Sequence, residues 1–156
     1  MPGKTLTHNY LTLDLPDDWE DASQVIALGP EDHGFRPNLV FSQEPTELDE
    51  DAADFAARQL PSLRDALPNY AVVREQTATF GPNTGFLREH TFAMDKGEIG
   101  QFQFYLVRDG RAYTFTLTHK KERFERLRAL GGELIAGARL HIGGNTEPDH
   151  AVAAEF

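Results

Sequence analysis

The sequence predicts an α+β fold in which an antiparallel β-sheet packs against two main α-helices. Short alternating strands open the chain, an amphipathic helix follows, and further strands precede a closing helix. Parallel sheets need a crossover between successive strands, so this order favours an antiparallel sheet. With 156 residues, of which 40% are hydrophobic, the chain is long enough for one domain with its own core. We assign that domain to residues 10–142, between a flexible N-terminus (1–9) and a flexible tail (143–156).

Short strands are predicted in the first part of the chain. Apolar and polar residues alternate over residues 10–15, and Pro16 ends that pattern. Residues 23–28 and 38–42 are further strand candidates on either side of a loop. Trp19, in the turn after the first strand, is expected to cover the edge of the sheet as part of the core.

The first helix is predicted to begin after Thr46, as its N-cap, and to end at about Ala66. Acidic residues crowd its first turn, where the helix dipole favours negative charge. Pro61 lacks a backbone N–H, so we expect it to kink the helix or to split it near Ala57. The apolar stripe of this helix consists of Leu48, Ala52, Phe55, Ala56, Leu60, Leu63 and Leu67.

A β-hairpin centred on Asp109-Gly110 is the strongest local signal in the chain. This dipeptide favours a type I′ turn, which needs positive φ at both central residues. Strands over residues 70–80 and 86–94 precede the hairpin. The register set by this turn pairs Phe102 with Leu117, Phe104 with Phe115 and Leu106 with Tyr113 on one face, and Gln101 with Thr118, Gln103 with Thr116 and Tyr105 with Thr114 on the other. The second face is a semi-polar platform that can hydrogen-bond a ligand laid across it.

The closing helix is predicted over about residues 121–136. Its inward residues are Phe124, Leu127, Leu130 and Leu134. The pair Gly131-Gly132 is expected to weaken or end this helix. Basic residues concentrate over residues 119–128, and we interpret them as a solvated, ion-paired helix face. The alternative is a docking patch for an acidic partner, or for the chain's own acidic segment 44–54.

The composition excludes several classes of function. The chain carries 25 acidic and 15 basic residues, a formal net charge of −10, which disfavours nucleic acid and anionic membranes as partners. It has no cysteine, so disulfides and thiolate metal sites are excluded. The first residues contain no apolar run of the kind found in signal peptides. We therefore predict a soluble, cytoplasmic protein without stable membrane association.

Enzymatic activity is not predicted. The serines lack the setting of a nucleophile elbow, and no glycine pattern fits a phosphate-binding loop or a dinucleotide fingerprint. The six histidines lack metal-binding spacing, so we interpret them as scattered surface residues and predict neither metal nor cofactor. A pocket joining His90, His119 and a carboxylate would instead favour an enzyme.

Two glutamines are candidate binding residues. Gln59 lies four residues after Phe55 and four before Leu63, so it shares the apolar stripe of the first helix. Gln103 lies on the semi-polar platform of the hairpin. Taken singly, each has an ordinary structural interpretation: Gln59 as a satisfied amide at a strand end, Gln103 as a solvent-facing strand residue opposite Thr116. Two amides directed at one platform are more suggestive of a binding surface.

Several short motifs together resemble those of DcrB-like proteins, which have a PsbP-like fold. Residues 13–21 (LDLPDDWED) are similar to the opening strand and Pro-x-x-Trp turn of that family. Residues 57–60 (ARQL) and Leu67-Pro68 are similar to its helix and the turn after it. The Gln103 strand and residues 114–118 resemble its later hairpin. The resemblance covers about residues 10–142 and implies a PsbP-like sandwich.

Within that family, the sequence most resembles the Eag chaperones of bacterial type VI secretion. Those proteins are cytoplasmic dimers that hold the N-terminal transmembrane segments of effectors before these are loaded on the secretion spike. The resemblance implies that Gln59 and Gln103 match the family's gripping glutamines. It also implies an apolar gripping position in the second strand, where this sequence has Gln24, with Ile26 two residues further on.

The predicted function is therefore a non-enzymatic, homodimeric chaperone for a secreted effector with N-terminal apolar helices. Its predicted client-binding residues are Gln59, Gln103, Tyr105, Thr114, Thr116, Ile26 and Gln24. The alternative is a stand-alone DcrB-like domain that binds another protein or a small apolar ligand.

Overall fold

The computed structural model describes residues 4–8, 10–95 and 97–141. The predicted tail, residues 143–156, lies outside the described residues. In chain order the elements are β1 (Lys4–His8), β2 (Leu11–Leu15), β3 (Val25–Leu28), β4 (Asn38–Pro45), α1 (Ala52–Ala66), β5 (Ala71–Phe80), β6 (Asn83–Met94), β7 (Gly97–Arg108), β8 (Arg111–Lys120) and α2 (Phe124–Ala136), with a 3-10 turn (Lys121–Arg123) before α2.

The predicted α+β fold with an antiparallel sheet and two α-helices is confirmed. Six strands form one antiparallel sheet in the order β3-β4-β8-β7-β6-β5, and β1 and β2 form a separate two-stranded sheet. Helix α1 packs mainly on β6 and β7, whereas α2 packs mainly on β7, β8 and β5. The cross-strand register places the residues that meet the two helices on opposite faces, which we call the α1 face and the α2 face.

The hairpin of β7 and β8 has the predicted register at every predicted pair. Asp109 and Gly110 both adopt positive φ, 49° and 76°, as a type I′ turn requires. Phe102, Phe104 and Leu106 therefore face the main core on the α2 face. That core consists of Leu87, Phe102, Phe104, Leu106, Tyr113, Phe115, Leu117, Leu127 and Ile135. A smaller cluster of Phe55, Ala56, Tyr105 and Ala112 lies beneath α1.

Helix α1 begins later than predicted. Its N-cap is Asp51, which accepts a hydrogen bond from the backbone of Asp54 and forms a capping box with it. The predicted N-cap Thr46 is wrong because a turn follows it, in which Asp49 has φ 58°, a conformation incompatible with a helix. Leu48, assigned to the apolar stripe, is consequently 92% exposed. Pro61 lies inside one continuous helix, which is not split near Ala57.

Other predictions fail at the periphery of the sheet. Residues 4–8 form strand β1, whereas the sequence predicted only a flexible N-terminus there. Trp19 is 61% exposed, so it does not belong to the core. On α2, Leu134 is 45% exposed and Ile135 occupies the buried position in its place. The helical period alone did not resolve which of two adjacent apolar residues turns inward.

The basic segment over residues 119–128 is an ion-paired helix face, as interpreted. Lys121 pairs with Glu98 at 2.8 Å, Arg123 with Asp32 at 2.9 Å, and Arg128 with Glu89 at 2.9 Å. These carboxylates lie outside the acidic segment 44–54, so the alternative of internal docking onto that segment is not realised in the described residues.

Gly131 and Gly132 lie inside α2 and do not end it. A Cβ on Gly131 would come within 2.6 Å of the Phe102 ring, whereas the nearest neighbour of a Cβ on Gly132 is Phe80 at 3.5 Å. Gly131 therefore allows the helix to approach the sheet closely.

We expect Gly131→Ala to lower the free energy of unfolding by about 1–3 kcal/mol, because the added methyl group overpacks the core against Phe102. The matched control is Gly132→Ala, one residue further along the same helix. It should leave stability unchanged or raise it by up to about 1 kcal/mol, since alanine favours the helix. Urea unfolding followed by circular dichroism measures both variants. Equal stability of the two variants would show that the close approach at Gly131 is unimportant.

Candidate functional site

A part of the α1 face beyond the helix is open. We define the open platform as Val40, Ser42, Thr114, Thr116, Thr118 and Ile26, which the register places on one face of β3, β4 and β8. The β4 and β8 members are half-buried, and Ile26 is 60% exposed. Hydroxyl groups and branched apolar side chains thus lie side by side, a surface that suits an apolar ligand with occasional polar groups.

Gln103 is held at the margin of this platform by a row of hydrogen bonds. Its Oε1 accepts from the Tyr105 hydroxyl at 2.5 Å, and its Nε2 donates to Thr116 Oγ1 at 3.2 Å. Tyr105 in turn accepts from Arg88 Nη1 at 3.2 Å. One amide proton of Gln103 has no hydrogen-bond partner among the described residues. A side chain oriented in this way can donate to a ligand on the platform.

Arg88 anchors that row from beneath α1. Its side chain is 1% exposed, and it donates to Glu75 Oε2 at 2.7 Å and to the Ala56 carbonyl oxygen at 2.7 Å. Burial of a guanidinium group is tolerable only when its donors are satisfied. Arg88 therefore ties helix α1 to the sheet and orients Tyr105 at the same time.

A second polar row runs beside the first. The Tyr70 hydroxyl and His90 Nδ1 lie 2.8 Å apart, and His90 Nε2 lies 2.8 Å from Gln101 Oε1. Gln101 Nε2 donates to Thr118 Oγ1 at 2.9 Å. Burial lowers the pKa of His90 to about 4, although the hydrogen bond to Gln101 acts in the opposite direction. Neutral His90 donates to Gln101 and accepts from Tyr70, so both nitrogens of its ring are paired.

Gln59 lies half-buried on α1, one turn beyond Phe55 and Ala56 on the side that meets the sheet. Its side chain makes no hydrogen bond within the described residues. The alternative interpretation, a structural glutamine paired with a strand end, is therefore not realised there. Among the described residues, the whole Gln59 amide and one amide proton of Gln103 have no partner, so both side chains can hydrogen-bond a ligand on the α1 face.

The other predicted client-binding residues fall into three settings. Thr114 and Thr116 lie on the open platform, and Ile26 forms its outer border. Gln24 is exposed and lies just before β3. Tyr105 is only 2% exposed and packs edge-on against Phe55, so it orients Gln103 and is not available to touch a ligand in this structure. Burial raises the pKa of Tyr105 to about 12, and its hydroxyl remains a proton donor.

The predicted surface position of the histidines is wrong for two of them. His90 and His119 are both 0% exposed. His90 lies on the α1 face, whereas His119 contacts Asp32 at 2.9 Å and stacks on Phe35 on the α2 face. The pocket joining the two histidines is therefore not formed. Within residues 4–8, 10–95 and 97–141, no cluster of side chains has the composition of a metal site.

A cavity of about 560 Å³ opens on the α2 face. It lies between α2 and the strands β3 and β4, and its apolar wall includes Leu39, Leu117, Leu127, Leu130 and Leu134. Arg123 and Arg126 lie at its border. The sheet separates this cavity from the open platform.

Sequence reasoning missed the buried polar residues that lie beside the platform. Arg88, which orients Gln103 through Tyr105, and His90, which pairs with Gln101, are the main examples, although Gln101 was placed on the correct face. Arg88 and His90 alternate with Leu87 and Glu89 in a strand, and this alternation was the available signal. A charged residue on a strand most often faces solvent, so its burial under α1 was not predictable from the pattern alone.

The family model DcrB matches residues 11–131. No curated protein matches the chain in sequence. No helix within the described part of the chain is both long and apolar enough to cross a membrane.

Solved structures resemble the chain in fold. A Pseudomonas aeruginosa protein of unknown function, PA94, described as a putative regulator, has 18% identity and a TM-score of 0.73, over 90% of this chain and 98% of that chain. LpqN of Mycobacterium tuberculosis, involved in cell envelope biogenesis, has 15% identity and a TM-score of 0.43, over 73% and 82%. Cyanobacterial PsbP (CyanoP) of Synechocystis sp. PCC 6803 has 11% identity and a TM-score of 0.46, over 76% and 79%. Because the family model covers most of the domain, the chain belongs to the DcrB family.

Proposed function

We propose that this DcrB-family protein is a cytoplasmic, non-enzymatic chaperone. It binds and shields the N-terminal transmembrane helices of a type VI secretion effector before the effector is loaded on the spike. The observation that carries the proposal is the open platform of apolar and hydroxyl side chains, at whose margin Gln103 has one amide proton without a partner among the described residues. Gln59 lies on α1, on the side that meets the same face of the sheet, and its side chain makes no hydrogen bond among those residues. The resemblance of the short motifs to Eag chaperones supports the same function.

The chemistry of the platform suits such a client. A transmembrane helix in water exposes a long apolar surface, and covering it contributes about 25 cal/mol per Å². Its backbone is already hydrogen-bonded, so only small polar side chains and occasional carbonyl groups need partners. Glutamine amides and threonine hydroxyls supply such partners, as polar side chains do between helices within membranes. Val40 and Ile26 supply the apolar contact.

The net charge of −10 fits this role. A surface that binds apolar helices is prone to associate with membranes and with other proteins. Excess negative charge opposes both anionic lipid surfaces and self-association. The charge therefore keeps such a surface in solution while leaving the platform itself uncharged.

The test replaces both glutamines with alanine and measures client capture. We expect Gln59→Ala combined with Gln103→Ala to weaken retention of the client about tenfold or more, since two hydrogen bonds in apolar surroundings are each worth about 1 kcal/mol. The client is an N-terminal effector fragment that contains apolar transmembrane helices, co-expressed with a tag and recovered by pull-down. The matched control is Gln76→Ala on the exposed strand β5, which should retain the client like the unchanged protein.

The double variant must first be shown to remain folded, because Tyr105 loses its acceptor when Gln103 is removed. Thermal unfolding of both variants provides that check. If the folded double variant retained as much client as the Gln76→Ala control does, the two glutamines would not belong to the client-binding site.

The broader test is co-expression with that effector fragment, followed by size-exclusion chromatography with light scattering. The control is a second fragment of the same effector, from which the apolar segments have been removed. A soluble complex with the first fragment alone would support the chaperone function. Aggregation of the fragment with and without this protein would contradict it.

A second candidate function is binding of a small apolar ligand. The observation that favours it is the cavity of about 560 Å³ on the α2 face, with its leucine wall. Native mass spectrometry of the purified protein separates the two functions. A bound small molecule, in a protein that fails to capture the effector fragment, would favour the stand-alone binding domain.

A further inference from the structure

Gln101 and Gln103 are held in the same way on the α1 face. Each side-chain oxygen accepts a hydrogen bond from a buried aromatic side chain. The donor to Gln101 is His90 Nε2 at 2.8 Å, and the donor to Gln103 is the Tyr105 hydroxyl at 2.5 Å. Because both neighbours donate, they fix which end of each amide is the oxygen. The Nε2 group of each glutamine is then directed towards β8.

Each of these two amides keeps one N–H without a partner among the described residues. A glutamine amide has two N–H donors. Gln101 donates one of them to Thr118 at 2.9 Å. Gln103 donates one of them to Thr116 at 3.2 Å. Both threonines belong to the open platform. Gln101 is half-buried whereas Gln103 is only 8% exposed, so Gln101 is the more accessible of the two donors.

The spacing of the two donors matches one turn of an α-helix. Gln101 and Gln103 are two residues apart on β7, so they share a face and lie about 7 Å apart along the strand. Residues four apart on an α-helix share a face and are about 6 Å apart along its axis. A client helix that lies along β7 and β8 can therefore meet both donors with two side chains of one face.

Serine and threonine are the client residues that suit these donors. In a helix, their hydroxyl groups commonly donate to the backbone carbonyl oxygen four residues earlier. The lone pairs of the hydroxyl oxygen then remain as acceptors. Lysine and arginine have no acceptor, and an ionised carboxylate would lose its hydration on an uncharged platform. Hydroxyl groups one turn apart are thus the polar pattern that the two amides match.

We propose that Gln101 binds the client and that, together with Gln103, it selects transmembrane helices that carry hydroxyl side chains four residues apart. The inference rests on the proposed function and deepens it, because it names the class of helix that the platform prefers. If Gln101 served only to pair with His90 and Thr118, the spacing of hydroxyl groups on the client would not matter.

The experiment compares three designed helices of about 20 leucine and alanine residues, each fused to a soluble carrier and co-expressed with the full chain. The first helix has two serines four residues apart, the second has two serines two residues apart, and the third has none. Residues two apart on a helix point to nearly opposite sides, so the second helix can present only one serine to the platform. Pull-down should retain the first helix about fivefold better than the second, because one more hydrogen bond forms.

A variant assigns this preference to Gln101. Gln101→Met keeps the length of the side chain and removes its hydrogen-bonding groups. We expect the first and second helices to be retained equally by this variant, while retention of the serine-free helix is unchanged. General damage to the structure would instead lower the retention of all three helices. The matched control is Gln76→Met on the exposed part of β5, which should keep the fivefold preference.

A second measurement needs no substitution, since His90 loses its acceptor in Gln101→Met and the variant must be shown to fold. In the unchanged protein labelled with ¹⁵N, the side-chain amide signal of Gln101 should shift when the first helix binds, and that of Gln76 should not. An unshifted Gln101 signal in that complex would overturn its role in binding.

The outcomes separate this inference from the proposed function. Capture of the effector fragment together with equal retention of the first two helices, or with retention of neither, would overturn the selection and leave the chaperone function intact. Failure to capture the effector fragment and all three helices would contradict the chaperone function itself. A fivefold preference that persists in folded Gln101→Met would show that Gln101 does not produce it.

Discussion

Replacing Arg88 with methionine is expected to lower the free energy of unfolding by roughly 2–4 kcal/mol. Methionine has a similar length, but it leaves the Ala56 carbonyl oxygen and the Tyr105 hydroxyl without the donors that Arg88 supplies. Both groups lie where α1 meets the sheet, and water does not readily replace the lost hydrogen bonds there. Urea unfolding followed by circular dichroism measures the change.

The matched control for this prediction is Arg111→Met on the adjacent hairpin strand. Arg111 donates to the half-buried Gln43 at 3.0 Å and makes no comparable contact beneath a helix. We expect the free energy of unfolding of this variant to fall by less than about 1 kcal/mol. If the free energy of unfolding fell by the same small amount in both variants, Arg88 would not connect α1 to the sheet in the way described.

Arg88 also has a functional consequence under the chaperone proposal. It donates to Tyr105, which donates to Gln103. A folded variant that lacks Arg88 should therefore retain the client less well, although Arg88 itself is 1% exposed and cannot touch it. The same pull-down with the effector fragment measures this effect.

Lowering the pH from 7 to 4 should remove about 3 kcal/mol of stability through His90 alone. Burial lowers the pKa of His90 from 6.5 to about 4 in the folded protein, and the nearby Arg88 charge acts in the same direction. Between pH 6.5 and pH 4, His90 is protonated in the unfolded chain but remains neutral in the folded protein. Stability from this residue is therefore complete above pH 6.5 and is lost progressively as the pH falls towards 4, at about 1.4 kcal/mol per unit.

The variant His90→Gln isolates this contribution. Glutamine is uncharged at every pH in this range, so the variant should show a shallower fall in unfolding free energy between pH 7 and pH 4 than the unchanged protein. His33→Gln is the control, since the His33 side chain is 54% exposed. An unchanged pH dependence in His90→Gln would mean that the pKa of His90 is the same in the folded and the unfolded protein.

Carboxylates contribute to stability in a lower range of pH. Hydrogen bonds from His33, His119 and Arg123 hold the pKa of Asp32 well below its usual range. A lowered carboxyl pKa contributes stability that is present above the unfolded pKa and lost as the pH falls below it. Because this loss occurs mainly below pH 4, comparison of His90→Gln with the unchanged protein separates the two effects.

The sequence predicted the elements whose signals are local. The Asp109-Gly110 turn determined the register of the β7–β8 hairpin, because a type I′ turn sets strand pairing from two residues alone. The end of α1 at Ala66 also followed from the local pattern. Its beginning did not, since Thr46 and Asp51 are both good N-caps, and the turn at Asp49 decided between them.

The candidate site was predicted in part for the same reason. Gln103 and Thr116 were placed on one face because the period of a strand is two, and Gln59 was placed on the inner side of α1 because the helical period is close to four. Tyr105 was placed on the correct face. Whether a residue on that face is covered by α1 or left open depends on where the helix crosses the sheet, and the pattern contains no information about that crossing.

The sequence by itself determined the α+β class, the central hairpin with its two faces, and the amides directed at one of them. Each follows from contacts between residues near in the chain or from the periods of helices and strands. Only the tertiary structure decided that Arg88, Glu89, His90 and His119 are buried, and that β3 is an exposed edge. Burial of a charge depends on partners brought from distant elements, and an edge is defined by the strand that is missing beside it.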